Sequence, residues 1–445
     1  MASLKARIGR LKALGLVKAS DMGGPGPARE GSEPGRPGFP DGVDDRDQAE
    51  TSACVGKAGD EPLPGWIPLG QGAFARTIRT GLVLSESHAG VFRPSDFERA
   101  KNRIPGTSEL FRDVGELAFF DLETTGLSGG AGTLAFLAAL GCFEGRDFLL
   151  TQIFIEDYPG EGVFLKTLAS FFASHPWAVT YNGAAFDIPL IRTRFVMNGA
   201  SMPELCHTDV LKPARRLWKR SIGPCSLKAV ESAVLGFERE DDVPGFLIPR
   251  IWLEYSAGGR RRTKEGFESL LKVFEHNAQD VVSLARLFLR IEAIMARPLA
   301  AAPESHVHAP SLALELIGRD RREEALELLE AAGADGSQGS LQLLAAIYRR
   351  SARWAEYRSV VEAMDPGTLS GCLAKAKLAE HRSGDYGEAL SWAEKAIRIV
   401  QDSRGRLPAE RFDAQVNALL RRIARLQFKL RREAGKECGR GSGRP

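Results

Sequence analysis

The stretch LAFFDLETTGLSGGAGTLAFLAALGCFEGRDFLLTQIFI, residues 117–155, decides the fold of this chain. It contains the apolar runs LAFFDLE, TLAFLAALG and FLLTQIFI, separated by the glycine-rich and polar clusters LSGGAG and FEGRD. Short apolar runs between such clusters are typical of strands joined by turns. The stretch therefore predicts an antiparallel meander of three strands.

Helical and strand patterns alternate after this meander. EGVFLKTLASFFASH, residues 161–175, places phenylalanines and leucines on one helical face. WAVTYN is typical of a buried strand, FDIPLIRTRFVMNG of a helix, and a further helix is predicted from about His276 to Met295. Together these patterns predict an α/β domain with a mixed sheet flanked by helices.

The last third of the chain changes to helical pairs without strands. The segments RREEALELLEAAG, LLAAIYRRSARWAEYRSVVEAM and LAKAKLAEHRSGDYGEALSWAEKAIRIV recur as similar units. Such self-similarity predicts stacked helical hairpins, and the last unit resembles a tetratricopeptide repeat. The fold class expected for the whole chain is an α/β domain followed by an all-α, tetratricopeptide-like domain.

Changes in composition divide the chain into six predicted segments. They are a flexible N-terminal segment (1–64), a small strand-containing extension (65–115), the α/β domain (116–295), a linker (296–312), the helical repeats (313–435) and a disordered tail (436–445).

The overall composition is that of an ordinary globular protein. Of 445 residues, 43% are hydrophobic, and 60 Lys and Arg balance 57 Asp and Glu, so net charge does not identify a partner. The six cysteines form no CxxC pair, which favours reduced thiols and a cytoplasmic location. No apolar run reaches the ~20 residues of a membrane span, and we expect no association with membranes.

Four acidic residues lie where strands give way to loops or where a helix presents them. Asp121 and Glu123 are two apart on a predicted strand, so both side chains project from one face. Asp187 follows the strand WAVTYN, and Asp280 lies four residues after His276 on one helical face. Taken singly, each has a simpler interpretation: a solvated strand end, an acid in the first turn of a helix, or a local surface contact.

Taken together, the four acids form the set of oxygen ligands that hard divalent cations prefer. Two such ions can hold the attacking and leaving oxygens of a phosphodiester displacement. Like charges placed so close would be unstable without cations. His276 would then supply a base that titrates near neutral pH.

The motifs DLETTGL, YNGAAFD and HNAQD resemble, in this order, the three motifs of the DEDD exonucleases of the ribonuclease-H-like superfamily. CSLKAVESAVLG and REDDVPGFLIPRIWLEY further resemble the YprB-like branch, in which such a domain is joined to tetratricopeptide repeats. The resemblance covers roughly residues 117–290 and extends to the repeats. It implies a 3′–5′ exonuclease with two Mg²⁺ or Mn²⁺ ions.

The resemblance also implies a role for each matching residue. Asp121 would bridge both ions, Glu123 and Asp280 would hold one, Asp187 would support the other, and His276 would act as general base. The terminal nucleotide would contact Thr124, Thr125, Gly126 and Leu127, with Asn182 and Phe186 bordering the same pocket. The His276–Asp280 spacing is one residue shorter than in the histidine branch of the superfamily, so His276 occupies a tyrosine-like position and could orient water instead.

Two basic patches are also candidates for contact with nucleic acid. RRLWKR (215–220) includes Trp218, and RRRTK (260–264) lies on the other side of the REDD run. Phosphate binding with aromatic stacking and plain solvated surfaces are equally compatible with this pattern.

The sequence therefore predicts a metal-dependent nuclease acting on DNA or RNA, with single strands or 3′ ends as substrates. The helical repeats would bind a protein partner or position the substrate. The alternatives are a nucleic-acid-binding adaptor without turnover and a scaffold that works chiefly through its repeats.

Overall fold

The computed structural model describes residues 63, 65–84, 114–126, 132–257, 264–301, 306–405 and 408–441. The backbone divides the chain into two compact units, Met1–Val307 and His308–Pro445. The first unit is a mixed sheet with helices, and the described part of the second is built of helices. The predicted fold class of an α/β domain followed by helices is confirmed.

The first unit is organised around a sheet of seven strands in the order β1-β2-β5-β4-β3-β6-β7. The strands are β1 (Ile67–Gly70), β2 (Ala73–Val83), β3 (Leu117–Thr124), β4 (Ala135–Glu144), β5 (Asp147–Ile155), β6 (Trp177–Thr180) and β7 (Cys206–Asp209). Strands β3, β4 and β5 pair antiparallel, as the predicted meander requires. Strands β3, β6 and β7 pair parallel, which brings their carboxyl ends to the same edge of the sheet.

The predicted extension supplies the first two strands. Strand β2 pairs antiparallel with β5, so the extension continues the sheet instead of forming a separate layer. Residues 85–113 of the extension lie outside the described residues.

Seven helices complete the described part of the first unit. They are α1 (Glu161–Ser174), α2 (Asp187–Met197), α3 (Leu211–Ile222), α4 (Leu227–Val230), α5 (Ile248–Ser256), α6 (Lys264–Ala296) and α7 (Pro298–Ala301). Helix α6 begins twelve residues before the predicted start at His276. Its first half is held by burial of Leu270, Val273 and Phe274 in the core.

The second unit contains seven helices in its described part. They are α8 (Ala309–Ile317), α9 (Arg322–Ala334), α10 (Gln338–Arg350), α11 (Trp354–Ala363), α12 (Leu369–Leu378), α13 (Tyr386–Asp402) and α14 (Ala409–Gly441). Each packs against the next in chain order, and the tetratricopeptide assignment stays a prediction. The predicted linker 296–312 contains α7 and the start of α8, and α14 runs to Gly441 through most of the predicted disordered tail.

Among the described residues, no helix combines the length and the apolar character that a bilayer crossing demands.

Candidate active site

Strand β3 carries Asp121 and Glu123 on the face of the sheet that α6 covers. On this face Phe119 makes an edge contact with Phe288 of α6, their ring centres 5.6 Å apart. On the opposite face Phe120 packs against Phe172 of α1. Because side chains alternate along a strand, Asp121 and Glu123 share the face of Phe119 and lie under α6.

Helix α6 holds Asp121 directly. Asn277 Nδ2 donates a hydrogen bond to Asp121 Oδ2 at 2.9 Å. Asn277 is itself fixed by the fully buried Gln152, whose Nε2 donates to Asn277 Oδ1 at 3.1 Å. Gln152 Oε1 in turn accepts from Arg76 on the adjacent strand β2 at 2.6 Å. A chain of hydrogen bonds therefore orients Asp121, and its two inner members, Asn277 and Gln152, were not predicted as site residues.

The same helix brings His276 and Asp280 to the acids of β3. His276 Nε2 lies 3.9 Å from Glu123 Oε1 and 3.8 Å from Asp280 Oδ2. All three side chains are largely buried, at 12–19% exposure. The structure therefore places the predicted base between two of the predicted ligands.

Asp187 reaches the site from the first turn of α2, at the carboxyl end of β6. The connecting segment turns at Asn182, which has a left-handed φ of 68°, a conformation that asparagine tolerates. Asp209 at the end of β7 accepts hydrogen bonds from the backbone amides of Asn182 at 2.8 Å and Leu211 at 3.1 Å. Asp209 thus has a structural role in shaping the turn before Asp187.

The acids of β3 interact strongly with those of the two helices. Burial raises the pKa of Asp121 well above its usual range, and the charges of Asp280, Asp187 and Glu123 raise it further. Burial raises the pKa of Glu123 in the same way, with Asp280 and Asp187 again contributing. The four predicted ligands are therefore brought together closely enough to oppose one another's ionisation.

Asp187 and Asp280, the two acids carried by helices, also have raised pKa values. Burial, with Asp209 and Asp280 nearby, raises the pKa of Asp187 to about 7. Burial also raises the pKa of Asp280, although the neighbouring Arg239 and His276 act in the opposite direction.

Arg239 is a site residue that sequence reasoning missed. Its guanidinium is 6% exposed and donates both to Asp280 and to the fully buried Glu231. It is a fixed positive charge beside the acids, and it partly offsets the rise in the pKa of neighbouring Glu123. The signal was present in the REDD run, 239–242, which combines an arginine with acids between two apolar segments.

Asp242, in the same run, orients His276. Asp242 Oδ1 lies 2.6 Å from His276 Nδ1. Burial raises the pKa of Asp242, but hydrogen bonds from Lys228 and His276 outweigh it and lower the pKa. Because an ionised carboxylate can only accept, the Nδ1 proton lies in this bond, and Nε2 is the nitrogen that faces Glu123 and Asp280.

The site contains carboxylate oxygens, the type of ligand that a hard divalent cation prefers. Four carboxylates disfavour one another's ionisation, and a bound cation relieves such repulsion. Yet among the residues that the structure describes, no three His, Cys, Asp or Glu side chains already converge on a point where they could hold an ion. Asp280 Oδ1 accepts from Arg239, and Asp280 Oδ2 is the oxygen that lies nearer to His276.

The predicted nucleotide-contacting residues lie at the carboxyl ends of β3 and β6. Thr124 Oγ1 donates to the Gly126 carbonyl at 2.9 Å, and Thr125 Oγ1 accepts from the Leu134 amide at 3.0 Å, so both hydroxyls make local hydrogen bonds to the backbone. Phe186 is 55% exposed. Leu127 lies outside the described residues.

The proposal that Trp218 stacks on a base is wrong, because this indole is fully buried. The arginines and lysine around it, Arg215, Lys219 and Arg220, are exposed. Residues 260–263 of the second basic patch lie outside the described residues.

Comparison with known proteins supports the relation to the ribonuclease-H-like superfamily and to YprB. The profile of the RNase_H superfamily matches residues 118–291, the span from β3 through most of α6. The chain is also 31% identical over 295 residues to the Bacillus subtilis (strain 168) protein YprB, which bears the description uncharacterized. That alignment covers 63% of this chain and 69% of YprB.

Proposed function

The chain belongs to the ribonuclease-H-like superfamily, and within it to the family of YprB, and from this premise we propose that it is a metal-dependent nuclease. The fold of the superfamily indicates nuclease activity, and its members generally use divalent metal ions. The specific proposal is a 3′–5′ exonuclease of the DEDD type that hydrolyses phosphodiester bonds with two Mg²⁺ or Mn²⁺ ions.

The mutual repulsion of the four acids is the observation that carries this proposal. Asp121 and Glu123 both lie where Asp187 and Asp280 oppose their ionisation. A fold that only needed to be stable would not crowd four carboxylates at one place, because each adds to the electrostatic cost of the others. A site that binds cations and phosphate oxygens explains the arrangement.

Each acid has a proposed role in holding the ions. Asp121 would contact both ions, Glu123 and Asp280 would hold the one nearest the attacking water, and Asp187 would support the other. When bound, the ions supply positive charge that stabilises the attacking and leaving oxygens.

His276 would accept the proton of the attacking water at Nε2. Its Nδ1 proton is held by Asp242, which fixes the tautomer with Nε2 free to act as a base. If His276 instead orients the attacking water, as its tyrosine-like position also allows, it would do so with the same nitrogen.

The terminal nucleotide would lie over the ends of β3 and β6. The backbone of Thr124, Thr125 and Gly126 would contact its sugar and phosphate, and Asn182 and Phe186 would border the base. The exposure of Phe186, 55%, leaves its ring available for stacking.

The test is cleavage of end-labelled DNA and RNA strands by the full chain with Mg²⁺ or Mn²⁺. We expect 5′-labelled strands to shorten stepwise and 3′-labelled strands to release mononucleotides at once. Asp121→Asn should abolish both, whereas Asp147→Asn, which removes an acid from the start of β5, should cleave like the wild type. Cleavage that survives Asp121→Asn or excess chelator would refute the proposal.

The pairing of Asp280 with Arg239 favours a second candidate, the nucleic-acid-binding adaptor without turnover. An internal arginine can neutralise one acid permanently, and the described acids do not form a ready chelate. The adaptor would bind the labelled strands without shortening them under any of the metal conditions. Capture of a partner protein by the helical unit alone would instead favour the scaffold.

A further inference from the structure

Helix α14 presents a strongly basic surface that the proposed catalytic site does not use. Residues 414–432 include six Lys or Arg and no Asp or Glu. The six are Arg421, Arg422, Arg425, Lys429, Arg431 and Arg432.

The apolar side of α14 is already covered within the chain. Leu419 is buried in a cluster with Ala396 and Val400 of α13, and Leu426 is buried with Ala389 and Ala393 of the same helix. This side therefore holds the helix in place and is not free to insert into another apolar phase.

Three of the basic residues serve an internal ion pair. Arg422, Arg425 and Lys429 surround the carboxylate of Glu380, which is fully buried, at 2.8–3.0 Å. Their charge is partly compensated within the unit.

The three remaining basic residues and Phe428 form what we term the outer stripe: Arg421, Phe428, Arg431 and Arg432. Arg421, Phe428 and Arg432 are spaced by seven and eleven residues, so they lie on one helical face. The three arginines are exposed, and none pairs with a carboxylate among the side chains that the structure describes. Glu433, also exposed, is the first acid after the stripe.

An exposed aromatic ring lies among these charges. Phe428 is 61% exposed, and Arg432 Cζ lies 5.9 Å from its ring centre. An exposed phenylalanine flanked by arginines that pair with no described carboxylate is the combination that stacks on a base while the flanking charges hold phosphates.

We propose that the outer stripe binds the backbone of a nucleic-acid strand, with Phe428 stacking on one base. From Arg421 to Arg432 the helix rises roughly 16 Å, the length of about five stacked nucleotides. This inference rests on the proposed function for its choice of nucleic acid among polyanions. An anionic membrane is the rival surface, and the burial of Leu419 and Leu426 opposes it, because membrane-bound helices insert an apolar face.

The test is binding of a fluorescein-labelled 20-nucleotide strand to the full chain, measured by anisotropy in chelator at several salt concentrations. The triple variant Arg421→Gln, Arg431→Gln, Arg432→Gln should bind at least tenfold more weakly at low salt. Loss of three phosphate contacts on a single strand should also reduce the slope of log affinity against log salt by about 2. Phe428→Ala should weaken binding about tenfold with an unchanged slope, because stacking releases no counterions.

The matched control is the triple variant Arg322→Gln, Arg350→Gln, Arg358→Gln, which removes the same charge from exposed positions on α9, α10 and α11. It should keep the wild-type affinity and slope. Circular dichroism should show wild-type helicity in all variants, because every substituted residue is exposed.

The outcomes for the stripe and for the nuclease are separable. Loss of binding in the stripe variants supports the stripe even if no strand is ever cleaved. Wild-type affinity and slope in the stripe triple variant overturn it even if the strand is cleaved as proposed. Binding to phosphatidylserine vesicles that is lost in the same variants, without binding to the strand, overturns it in favour of a membrane.

Discussion

The candidate site concentrates negative charge where an apolar core would have been more stable. Burial raises the pKa values of Asp121 and Glu123, and the acids of two different helices raise them further. A raised carboxyl pKa means that the folded state resists ionisation, so the free energy of unfolding falls as these groups lose their protons. At the residue scale, the capacity to bind cations and the stability of the cation-free protein oppose each other.

Removing the charge of Asp187 should therefore stabilise the metal-free protein. Its pKa of about 7 in the folded protein lies above the ordinary value of 3.8 for an aspartate, so its destabilising effect is absent below about pH 4, grows as pH rises through 7 and is complete above it. We expect Asp187→Asn to raise the melting temperature of the first unit by roughly 5 °C at pH 8 in chelator, and not at pH 4. It should also abolish cleavage.

Thermal unfolding across this pH range measures the effect, with Asp147→Asn as the control. Asp147 pairs with Arg79 at the surface, so its loss should not raise the melting temperature. A lower melting temperature of Asp187→Asn at pH 8 would show that the four acids do not repel one another as described.

Arg239 should be needed for stability because it neutralises Glu231, which is 1% exposed. Removing one partner of a buried ion pair leaves the other charge uncompensated. We expect Arg239→Gln to lower the free energy of unfolding by about 3–5 kcal/mol, and the double variant Arg239→Gln, Glu231→Gln to lose less than the single one.

Urea denaturation of both variants measures this difference. Arg250→Gln is the control, because it breaks a pair with Glu254 in which Arg250 is 76% exposed, and should cost less than about 1 kcal/mol. A loss in the double variant as large as that in Arg239→Gln, or larger, would show that Arg239 and Glu231 are not coupled.

The acids could be predicted from the sequence because each lies in a local pattern. A strand ending in D-x-E or a helix with His and Asp four apart is visible within a few residues. Arg239 meets Asp280 across 41 positions of sequence, and Gln152 meets Asn277 across 125. A glutamine in the apolar run FLLTQIFI is a polar residue without a local partner, and only the fold identifies the residue that satisfies it.

At the scale of elements, the position of the site depends on how closely α6 approaches the sheet. Strand β4 passes beneath α6 at Gly141, where a Cβ atom would lie 2.2 Å from Phe148 Cζ and 2.8 Å from Val281 Cγ1. Any residue larger than glycine at position 141 would force the neighbouring side chains to move. Val281 directly follows Asp280 in sequence, so the same contact sets the height of Asp280 above β3.

Gly141→Ala should therefore impair both stability and cleavage. We expect the free energy of unfolding to fall by about 1–3 kcal/mol, since overpacking forces neighbouring groups to shift. Cleavage should fall by about tenfold or more, because displacement of α6 moves His276 and Asp280 relative to β3.

Denaturation and single-turnover cleavage measure the two effects, with Gly81→Ala as the control. Gly81 lies on β2, where an added Cβ meets nothing within 4 Å, and its replacement should change neither quantity appreciably. Wild-type cleavage in Gly141→Ala would mean that the packing of α6 does not position the site.

The elements with strong periodicity were predictable, and short ones were not. The meander and β6 consist of continuous apolar runs, whereas β7 is the four-residue segment CHTD, which shows no apolar run or alternation of useful length. It is recognised only through its parallel pairing with β6. The segment predicted as a disordered tail, 436–445, has a glycine-rich and charged composition, and α14 continues into it as far as Gly441.

At the scale of the whole molecule, each unit contains a buried acid, and ionisation of these acids has opposite effects on the stability of the two units. In the second unit, burial by itself raises the pKa of Glu380, but hydrogen bonds from Arg425 and Lys429 outweigh it and lower the pKa to about 2. Its stabilising contribution is present above about pH 4.5 and is lost as pH falls toward 2. In the first unit, the acids of the site destabilise the cation-free fold as pH rises through 7.

Calorimetry of the full chain in chelator should therefore resolve two transitions with opposite responses to pH. Lowering the pH from 5 to 3 should lower the melting temperature of one transition, and Glu380→Gln should lower that same transition at pH 7 by removing an interaction on the order of a few kcal/mol. Raising the pH from 6 to 8 should lower the other transition, and Mg²⁺ should restore it through preferential binding to the folded state. A single transition that responds to Glu380→Gln and Asp187→Asn alike would mean that the two compact units unfold as one, and charge repulsion at the site would then limit the stability of the entire chain.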